Sequence, residues 1–367
     1  MTNKAPVSAS QYPGKYIQGQ GQINYVQDYA AKLGNNAFIV YAPSSKERVE
    51  NIIVKKFKKA NLNCKAEKFN RESSKKEIDR LVEICKENKC NLVIGIGGGK
   101  CLDTAKAVSY YMEIPVISIP TTAATDAPCS ALSVIYTETG EMESYLPLRK
   151  NPDVIIIDSA IVTEAPVRLL VAGMGDALAT KFEARANLRS HSICLSGSTP
   201  SITAMALASL CYDTLLSDGK KAKISVENKV VTNSVERIIE ANTLLSGVGF
   251  ESGGIAASHA VHDGLTVLEE THHYYHGEKV SFGVITQLVL ENADNDEIKE
   301  VIAFCKDVGL PTTLADLGIT EVTKEKLMMV AEAACAEGST VHNMPFEVTP
   351  ESLYGAMIVA DKLGGSY

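Results

Sequence analysis

The sequence lacks several features that would place the chain in a particular class of protein. No run of apolar residues approaches the ~18 that a membrane-spanning helix requires. Basic residues are outnumbered, with 36 Lys and Arg against 44 Asp and Glu, and nucleic-acid binding usually needs a basic surface. The first 15 residues contain no apolar segment typical of a signal peptide. These absences predict a cytoplasmic protein that binds neither membranes nor nucleic acids.

Paired cysteines are also missing, although the chain contains 9 cysteines. No two of them form a C-x-x-C pair and their number is odd, which disfavours both a disulfide framework and a thiolate metal cluster. We therefore expect reduced, mostly buried thiols. Hydrophobic residues make up 45% and charged residues 22% of the 367 positions, enough for a buried core in one large or two smaller domains.

The order of apolar patterns along the chain predicts two kinds of domain. Short β-branched runs alternate with amphipathic segments at first, which is typical of βαβ units and a mostly parallel sheet. We predict strands over residues 38–41, 91–95, 115–119, 131–137 and 153–158, and helices over 46–59, 75–89 and 100–112. Beyond these, helical patterns cover residues 167–189, 200–217, 223–246, 250–264, 277–293 and 296–308. The predicted fold class is α/β plus all-α, with a parallel-sheet domain over 1–160 and an all-helical domain over 161–367.

Two polar loops follow neighbouring predicted strands. The first contains Gly95, Gly97, Gly98, Gly99 and Lys100 and leads into a helix. Bare backbone at a helix N-terminus favours phosphate, but the spacing matches neither the dinucleotide fingerprint nor the P-loop, so a plain tight turn stays open. The second loop, residues 120–128, should lie at the same sheet edge. Its Asp126 either hydrogen-bonds a substrate or belongs to an Asp/Pro turn.

Five of the 7 histidines lie within one short segment: His259, His262, His272, His273 and His276. Imidazoles that converge with a carboxylate can form a metal site, whereas locally hydrogen-bonded histidines are the alternative, which we favour for residues 272 and 273. Asp176 lies in a small, apolar helical segment and should be buried. A buried acid requires a partner charge or a bound cation.

Seven segments together resemble one enzyme family. They are PGKYIQG (13–19), GIGGGKCLDTAKA (95–107), TDAPCSALSVIY (125–136), GMGDALAT (173–180), GVGFESGG (247–254), SHAVHDGLT (258–266) and HHYYHGEKV (272–280). They span nearly the whole chain and resemble the metal-dependent polyol branch of the iron-containing alcohol dehydrogenase family. The resemblance implies a Rossmann-like dinucleotide-binding domain followed by a helical metal- and substrate-binding domain, with the active site in the cleft.

The resemblance also implies roles for individual residues. Asp176, His259 and His276 match three zinc ligands and, with Asp126, the catalytic set. The implied substrate-binding residues are Asp126, Asp176, His259 and Phe250, while His262 would line the pocket. The implied NAD-binding residues are Gly99, Lys100, Cys101, Leu102, Asp103, Thr121, Thr122, Ala123, Ala124, Ser130, Leu132 and Tyr136.

The implied reaction is a zinc-dependent, NAD-linked oxidation of glycerol to dihydroxyacetone, and of related vicinal diols. Hydride would pass from a zinc-bound alkoxide to C4 of the nicotinamide. Related enzymes are often octameric, so a homo-oligomer is expected. Two alternatives stay open. One is a lyase of the dehydroquinate synthase type, whose usual ligand set has a glutamate where this chain has Asp176, and the other is a non-catalytic metal- or nucleotide-binding protein.

Two positions depart from patterns of the family. Members commonly carry an Asp after the first strand that hydrogen-bonds the adenosine ribose, and Pro43 stands there in our alignment. Because proline offers neither charge nor acceptor, we predict NAD as cofactor with weakened discrimination against NADP. Iron-dependent relatives have a fourth ligand, a histidine one helical turn after the Asp, where this chain has Thr180. A three-ligand set favours zinc with open coordination positions.

Overall fold

The computed structural model describes residues 7–367, which form two compact units. The sheet unit contains residues 11–166 and returns for Ser225–Thr243. The helical unit contains residues 7–10, Val167–Ile224 and Leu244–Tyr367. Within the described residues, no helix combines the length and the apolar character needed to cross a membrane.

The strands all belong to the sheet unit. They are β1 (Tyr16–Gly19), β2 (Asn36–Tyr41), β3 (Asn63–Lys68), β4 (Leu92–Gly97), β5 (Val116–Pro120), β6 (Leu132–Tyr136), β7 (Met142–Pro147) and β8 (Val154–Asp158). Six of them form a parallel sheet in the order β1-β8-β5-β4-β2-β3. Every residue of β4, β5 and β8 is buried, which explains the nearly continuous apolar runs in these strands.

The helices surround this sheet and build the helical unit. In chain order they are α1 (Val26–Ala30), α2 (Lys46–Arg48), α3 (Val54–Lys59), α4 (Lys75–Glu87), α5 (Gly99–Met112), α6 (Ser159–Glu164), α7 (Val167–Ser190), α8 (Ile202–Glu227), α9 (Asn233–Glu240), α10 (Ser246–Gly253), α11 (Ala257–Leu265), α12 (His276–Leu290), α13 (Asn295–Val308), α14 (Lys324–Ala334) and α15 (Pro350–Ser366). π-Helical turns over Val49–Ile53 and Ala241–Leu245 join α2 to α3 and α9 to α10.

Alternate residues of β2, β4 and β5 face two separate apolar layers. In β2, Ile39 packs in the layer that includes Phe57 of α3, whereas Phe38 and Val40 pack in the layer that includes Leu81 of α4. The α/β class with a large helical part is therefore confirmed, and the predicted alternation of strands and helices explains both layers.

The predicted strand over 131–137 is present as β6, although it lies outside the parallel sheet and pairs antiparallel with β7. Two other predictions about elements need correction. The predicted helix over 223–246 is broken, because α8 ends at Glu227 and Thr232 caps the start of α9. The predicted helix over 250–264 is interrupted at Gly254, whose φ of 88° does not continue a helix.

The segment Ser225–Thr243 packs with the rest of the sheet unit through partly buried polar contacts. Gln18 of β1 donates a hydrogen bond to Glu236 at 2.6 Å, and Ser159 reaches the other carboxylate oxygen at 2.5 Å. Tyr16 and Thr243 share a further hydrogen bond at 2.9 Å. A division into folding domains at residues 160 and 161 stays a prediction.

Candidate active site

One carboxylate and two imidazoles converge in the helical unit. Asp176 lies in α7, His259 in α11, and His276 begins α12. The Asp176 Oδ1 atom lies 3.4 Å from His259 Nε2 and 3.1 Å from His276 Nε2. One donor atom from each of the three residues lies within 4.8 Å of the others. We call these three residues the metal cluster.

Glycines let the helices approach closely enough to form this cluster. A Cβ atom on Gly277 would lie 1.8 Å from the Ala172 carbonyl oxygen, and one on Gly175 would lie 2.2 Å from the Gly277 oxygen. Only glycine permits this contact between the backbones of α7 and α12. Asp176 and His276 are the immediate neighbours of these glycines, so the backbone contact brings their side chains together.

Because the metal cluster is buried, the charge of its carboxylate has to be balanced by neighbouring groups. Asp176 is only 3% exposed. Burial raises the pKa of its carboxyl, but the charge of His276 and the hydrogen bonds from both imidazoles outweigh burial, so the net pKa is lowered. Burial lowers the pKa of His259, but Glu183 and Asp176 outweigh it and hold that pKa well above its ordinary value. The ionised Asp176 carboxylate therefore depends on positive charge beside it.

The donor set and its spacing fit a divalent first-row metal. Four ligands at 2.0–2.2 Å from a tetrahedral zinc ion stand about 3.3 Å apart, close to the measured 3.1 and 3.4 Å. Thr180, one helical turn after Asp176, is buried, and its hydroxyl shares a hydrogen bond with Ser246 at 3.1 Å. Thr180 is therefore not counted as a ligand, and the metal cluster consists of one carboxylate and two imidazoles.

Sequence reasoning missed Glu183, which supports His259 from behind. The Glu183 carboxylate is fully buried and lies 2.6 Å from His259 Nδ1. Its other oxygen accepts hydrogen bonds from the backbone N–H groups of Ala256 and His259 at 2.8 and 2.9 Å. These contacts keep the proton on Nδ1 and leave Nε2 for a metal. An available signal was its position seven residues after Asp176, on the same face of α7.

His276 is supported by a second imidazole instead. Its Nδ1 atom lies 3.0 Å from His262 Nε2, and His262 Nδ1 lies 2.9 Å from Asp263 Oδ1. Burial and the neighbouring His276 lower the pKa of His262 to about 3, so its ring is neutral and can accept a hydrogen bond from His276. His262 therefore contacts a member of the metal cluster.

The remaining predicted residues of this region lie outside the metal cluster. The His272 ring is hydrogen-bonded to the Thr266 carbonyl oxygen at 2.9 Å. The His273 ring packs against the Tyr274 ring with centroids 4.2 Å apart. Phe250 is buried in α10.

In the sheet unit, three loops meet at the carboxyl edge of the parallel strands. The Thr121 N–H group donates to the Gly97 oxygen at 3.0 Å, and the Ala42 N–H group donates to the Ile96 oxygen at 2.8 Å. The loops after β2, β4 and β5 are therefore neighbours. The chain proceeds from β2 to β3 on one side and from β4 to β5 on the other, so the crevice between β2 and β4 is a topological switch point, where such sheets bind ligands.

The four glycines between residues 95 and 99, at the end of β4 and the start of α5, fall into two groups. A Cβ on Gly95 would lie 2.6 Å from the Cβ of Ala105, and one on Gly97 would lie 2.8 Å from that of Cys101, so packing alone requires these glycines. Gly98 and Gly99 have no atom nearer than 3.9 and 3.7 Å to such a Cβ. Packing does not explain them, whereas the approach of a ligand to bare backbone at the start of α5 does.

Several predicted cofactor residues have side chains that are occupied inside the protein. The buried Cys101 thiol contacts the Ile96 oxygen at 3.4 Å, and burial raises its pKa to about 12. Leu102 is 1% exposed, and Asp103 pairs with Lys106 at 2.9 Å. Burial raises the pKa of Asp103, although Lys106 opposes this effect. These three residues can offer a cofactor their backbone rather than their side chains.

The other predicted residues lie around the same edge. The Lys100 ammonium pairs with Glu72 at 2.5 Å and lies 4.4 Å from the centre of the Tyr136 ring. Half-buried positions at the edge are Thr121, Thr122, Ala124, Asp126 and Leu132, and buried ones are Ala123 and Ser130. The segment after β3 that holds Glu72 was not predicted to take part.

Comparison with known proteins places this geometry in a family. The model of the iron-containing alcohol dehydrogenase family matches residues 13–159. The chain is 52% identical to a glycerol dehydrogenase of Citrobacter freundii, over 96% of this chain and 97% of that protein. It is 53% identical to a glycerol dehydrogenase of Pseudomonas putida, over 97% of this chain and 98% of that protein.

A solved structure agrees with these sequence comparisons. The crystal structure of a probable glycerol dehydrogenase from Sinorhizobium meliloti is similar with a TM-score of 0.93 and 44% identity, over 98% of this chain and 100% of that one. High identity over nearly full length in both chains does not favour the lyase alternative. The chain belongs to the iron-containing alcohol dehydrogenase family, and relatives that share half of its residues are glycerol dehydrogenases.

Proposed function

We propose that this chain is a zinc-dependent, NAD-linked glycerol dehydrogenase that oxidises glycerol to dihydroxyacetone. The observation that carries the proposal is the metal cluster, whose donor spacing fits tetrahedral zinc, in a chain 52% identical to a glycerol dehydrogenase. The intact donor set disfavours a non-catalytic protein. A homo-oligomer and a cytoplasmic location stay predictions.

The metal cluster would hold the zinc ion. When bound, zinc supplies a Lewis acid that makes an alcohol hydroxyl easier to deprotonate. Asp176 contributes the one carboxylate of the cluster, and its negative charge is kept by the two neighbouring imidazoles. Glu183 fixes the His259 tautomer, while His262 accepts a hydrogen bond from His276 Nδ1. Thr180 takes no part, which favours zinc over a metal that needs four protein ligands.

The carboxyl edge of the sheet would hold the dinucleotide. NAD, when bound, supplies the hydride acceptor at the nicotinamide ring. Gly98 and Gly99 expose backbone N–H groups at the start of α5, and Lys100 supplies a positive charge near Tyr136. Asp126 is half-buried in the loop after β5, and we assign it to substrate orientation.

The test is spectrophotometric. Purified protein is mixed with NAD and glycerol at alkaline pH, and NADH formation is followed at 340 nm with and without a chelator. We expect glycerol-dependent NADH that the chelator abolishes and zinc restores. Absence of NADH with glycerol and with the two diols 1,2-propanediol and 2,3-butanediol would refute the proposal. The relative kcat/KM across these three substrates would define the preferred polyol.

A further inference from the structure

A lysine that sequence reasoning passed over lies at the centre of the sheet unit. The Lys106 side chain in α5 is 0% exposed, and its ammonium lies 2.9 Å from Asp103 Oδ1. It also donates to the backbone oxygens of Ala127 at 2.8 Å and of Leu132. Ser130 offers two more oxygens at 3.4 Å. Burial of an ammonium group is costly unless its three N–H groups find acceptors and its charge is balanced, and these oxygens and the Asp103 carboxylate supply both.

The acceptors of Lys106 share one stretch of chain, residues 127–132, which runs from the loop after β5 into β6. A stretch with little regular structure has few backbone hydrogen bonds of its own, so the ammonium fixes several of its carbonyl groups at once. Asp126 directly precedes this stretch, and Ser130 and Leu132 lie within it. The proposed function assigns Asp126 to substrate orientation, and the family resemblance gives Ser130 and Leu132 cofactor roles.

We propose that Lys106 is a positioning residue for the dinucleotide site, holding residues 126–132 in the conformation that presents Asp126, Ser130 and Leu132. The proposal rests on the proposed function and gives Asp103 a new role. Its carboxylate balances the buried charge of Lys106 instead of contacting the cofactor. Both residues therefore act through the loop.

The chain contains a matched control for this contact. Lys229, in the same unit, also donates to three backbone oxygens, those of Thr163, Glu164 and Ala165, at 3.3, 3.3 and 2.9 Å. These acceptors lie at the end of α6, and none has a predicted role at the site. Lys106→Met and Lys229→Met each remove an ammonium group that binds backbone oxygens, the first from a buried position and the second from an exposed one.

The experiment measures NADH binding and steady-state kinetics separately. NADH fluorescence titrations of metal-free protein give a Kd, and assays of zinc-loaded protein give KM for NAD and kcat. For Lys106→Met we expect Kd and KM to rise about tenfold, equivalent to losing a well-placed hydrogen bond, with unchanged zinc content. For Lys229→Met we expect both within about twofold of wild type. Partial unfolding would lower the apparent kcat and leave KM unchanged.

Asp103→Asn provides a second test that applies even if Lys106→Met does not fold. This variant keeps the carbonyl acceptors but loses the balancing charge, and we expect an increase in Kd of about threefold. A wild-type Kd in Asp103→Asn, or in folded Lys106→Met, would overturn the proposal. The proposal would also be overturned if the NADH Kd rose more in Asp103→Asn than in Lys106→Met, because Asp103 would then contact NADH directly. These titrations contain no glycerol, so their outcome is independent of the glycerol assay.

Discussion

The two candidate sites of this protein are built from different materials. In the helical unit, the metal cluster is made of side chains from α7, α11 and α12, and each donor atom is a carboxylate oxygen or an imidazole nitrogen. In the sheet unit, the carboxyl edge is made largely of backbone, and Gly98 and Gly99 contribute by having no side chain. The first site should therefore fail when a donor is removed, and the second when an atom is added.

The largest effect is expected from removing a donor. His276→Ala should abolish both bound metal and glycerol-dependent NADH formation, because two remaining ligands hold zinc poorly. His273→Ala is the matched control, since its ring packs on Tyr274 outside the cluster. Bound metal and glycerol-dependent NADH formation are measured for both variants. Zinc retained by His276→Ala would break the assignment.

A smaller effect is expected from the carboxylate behind the cluster. Glu183→Gln keeps the shape of the side chain but removes the charge that holds His259 Nδ1–H, and we expect zinc affinity to fall about 10–100-fold. NADH binding by metal-free protein should not change. Competition with a chromophoric chelator measures the first quantity and fluorescence the second. Unchanged zinc affinity would show that Glu183 only stabilises the fold.

The glycines of the sheet edge test the opposite kind of failure. Gly98→Ala has room for its methyl group and an ordinary φ of −84°, so stability should stay within about 0.5 kcal/mol. Its NADH Kd should nevertheless rise about tenfold, because the methyl group blocks the backbone. Gly97→Ala should cost about 1–3 kcal/mol of unfolding free energy, since its methyl group meets Ala42 and Cys101. Denaturant unfolding measures the stability of both variants, and NADH titration measures their affinity for the dinucleotide. Equal losses of stability in Gly98→Ala and Gly97→Ala would contradict the different roles assigned to these glycines.

The smallest effect concerns cofactor choice at the loop after β2. Pro43 is exposed there and offers no acceptor to a ribose. We expect the preference for NAD over NADP, as a ratio of kcat/KM, to lie below about a thousandfold, and Pro43→Asp to raise it about tenfold. Pro43→Ala, which adds no carboxylate, should leave the ratio unchanged. A wild-type preference above that limit would show that other residues exclude NADP.

The sequence alone indicates some residues of the two sites and not others. Asp176 and the histidine segment stand out in the sequence because acids in apolar segments and clustered histidines are rare, and the family resemblance selects Asp176, His259 and His276 from them. Glu183 and Lys106 do not stand out, since charged residues on helices are usually solvated. Their burial depends on partners such as His259, which is 76 positions from Glu183. In the same way, nothing local indicates that Ser225–Thr243 packs with the sheet unit.

The backbone features were harder to predict for a related reason. In the sequence all four glycines between residues 95 and 99 look alike, and only the distances to Ala105 and Cys101 separate those required by packing from the others. The apolar residues of β6 predict a strand, but they do not show that its partner is β7, which is largely exposed. Pairing between strands depends on the rest of the fold.

Bound metal, measured together with activity, tests the central claim most directly. Metal content per chain is determined by mass spectrometry during stepwise chelation and zinc readdition, and glycerol-dependent NADH formation is assayed in each sample. The account predicts one zinc per chain and activity that falls and recovers in proportion to it. Full activity in metal-free protein, or stoichiometric iron in place of zinc, would contradict it.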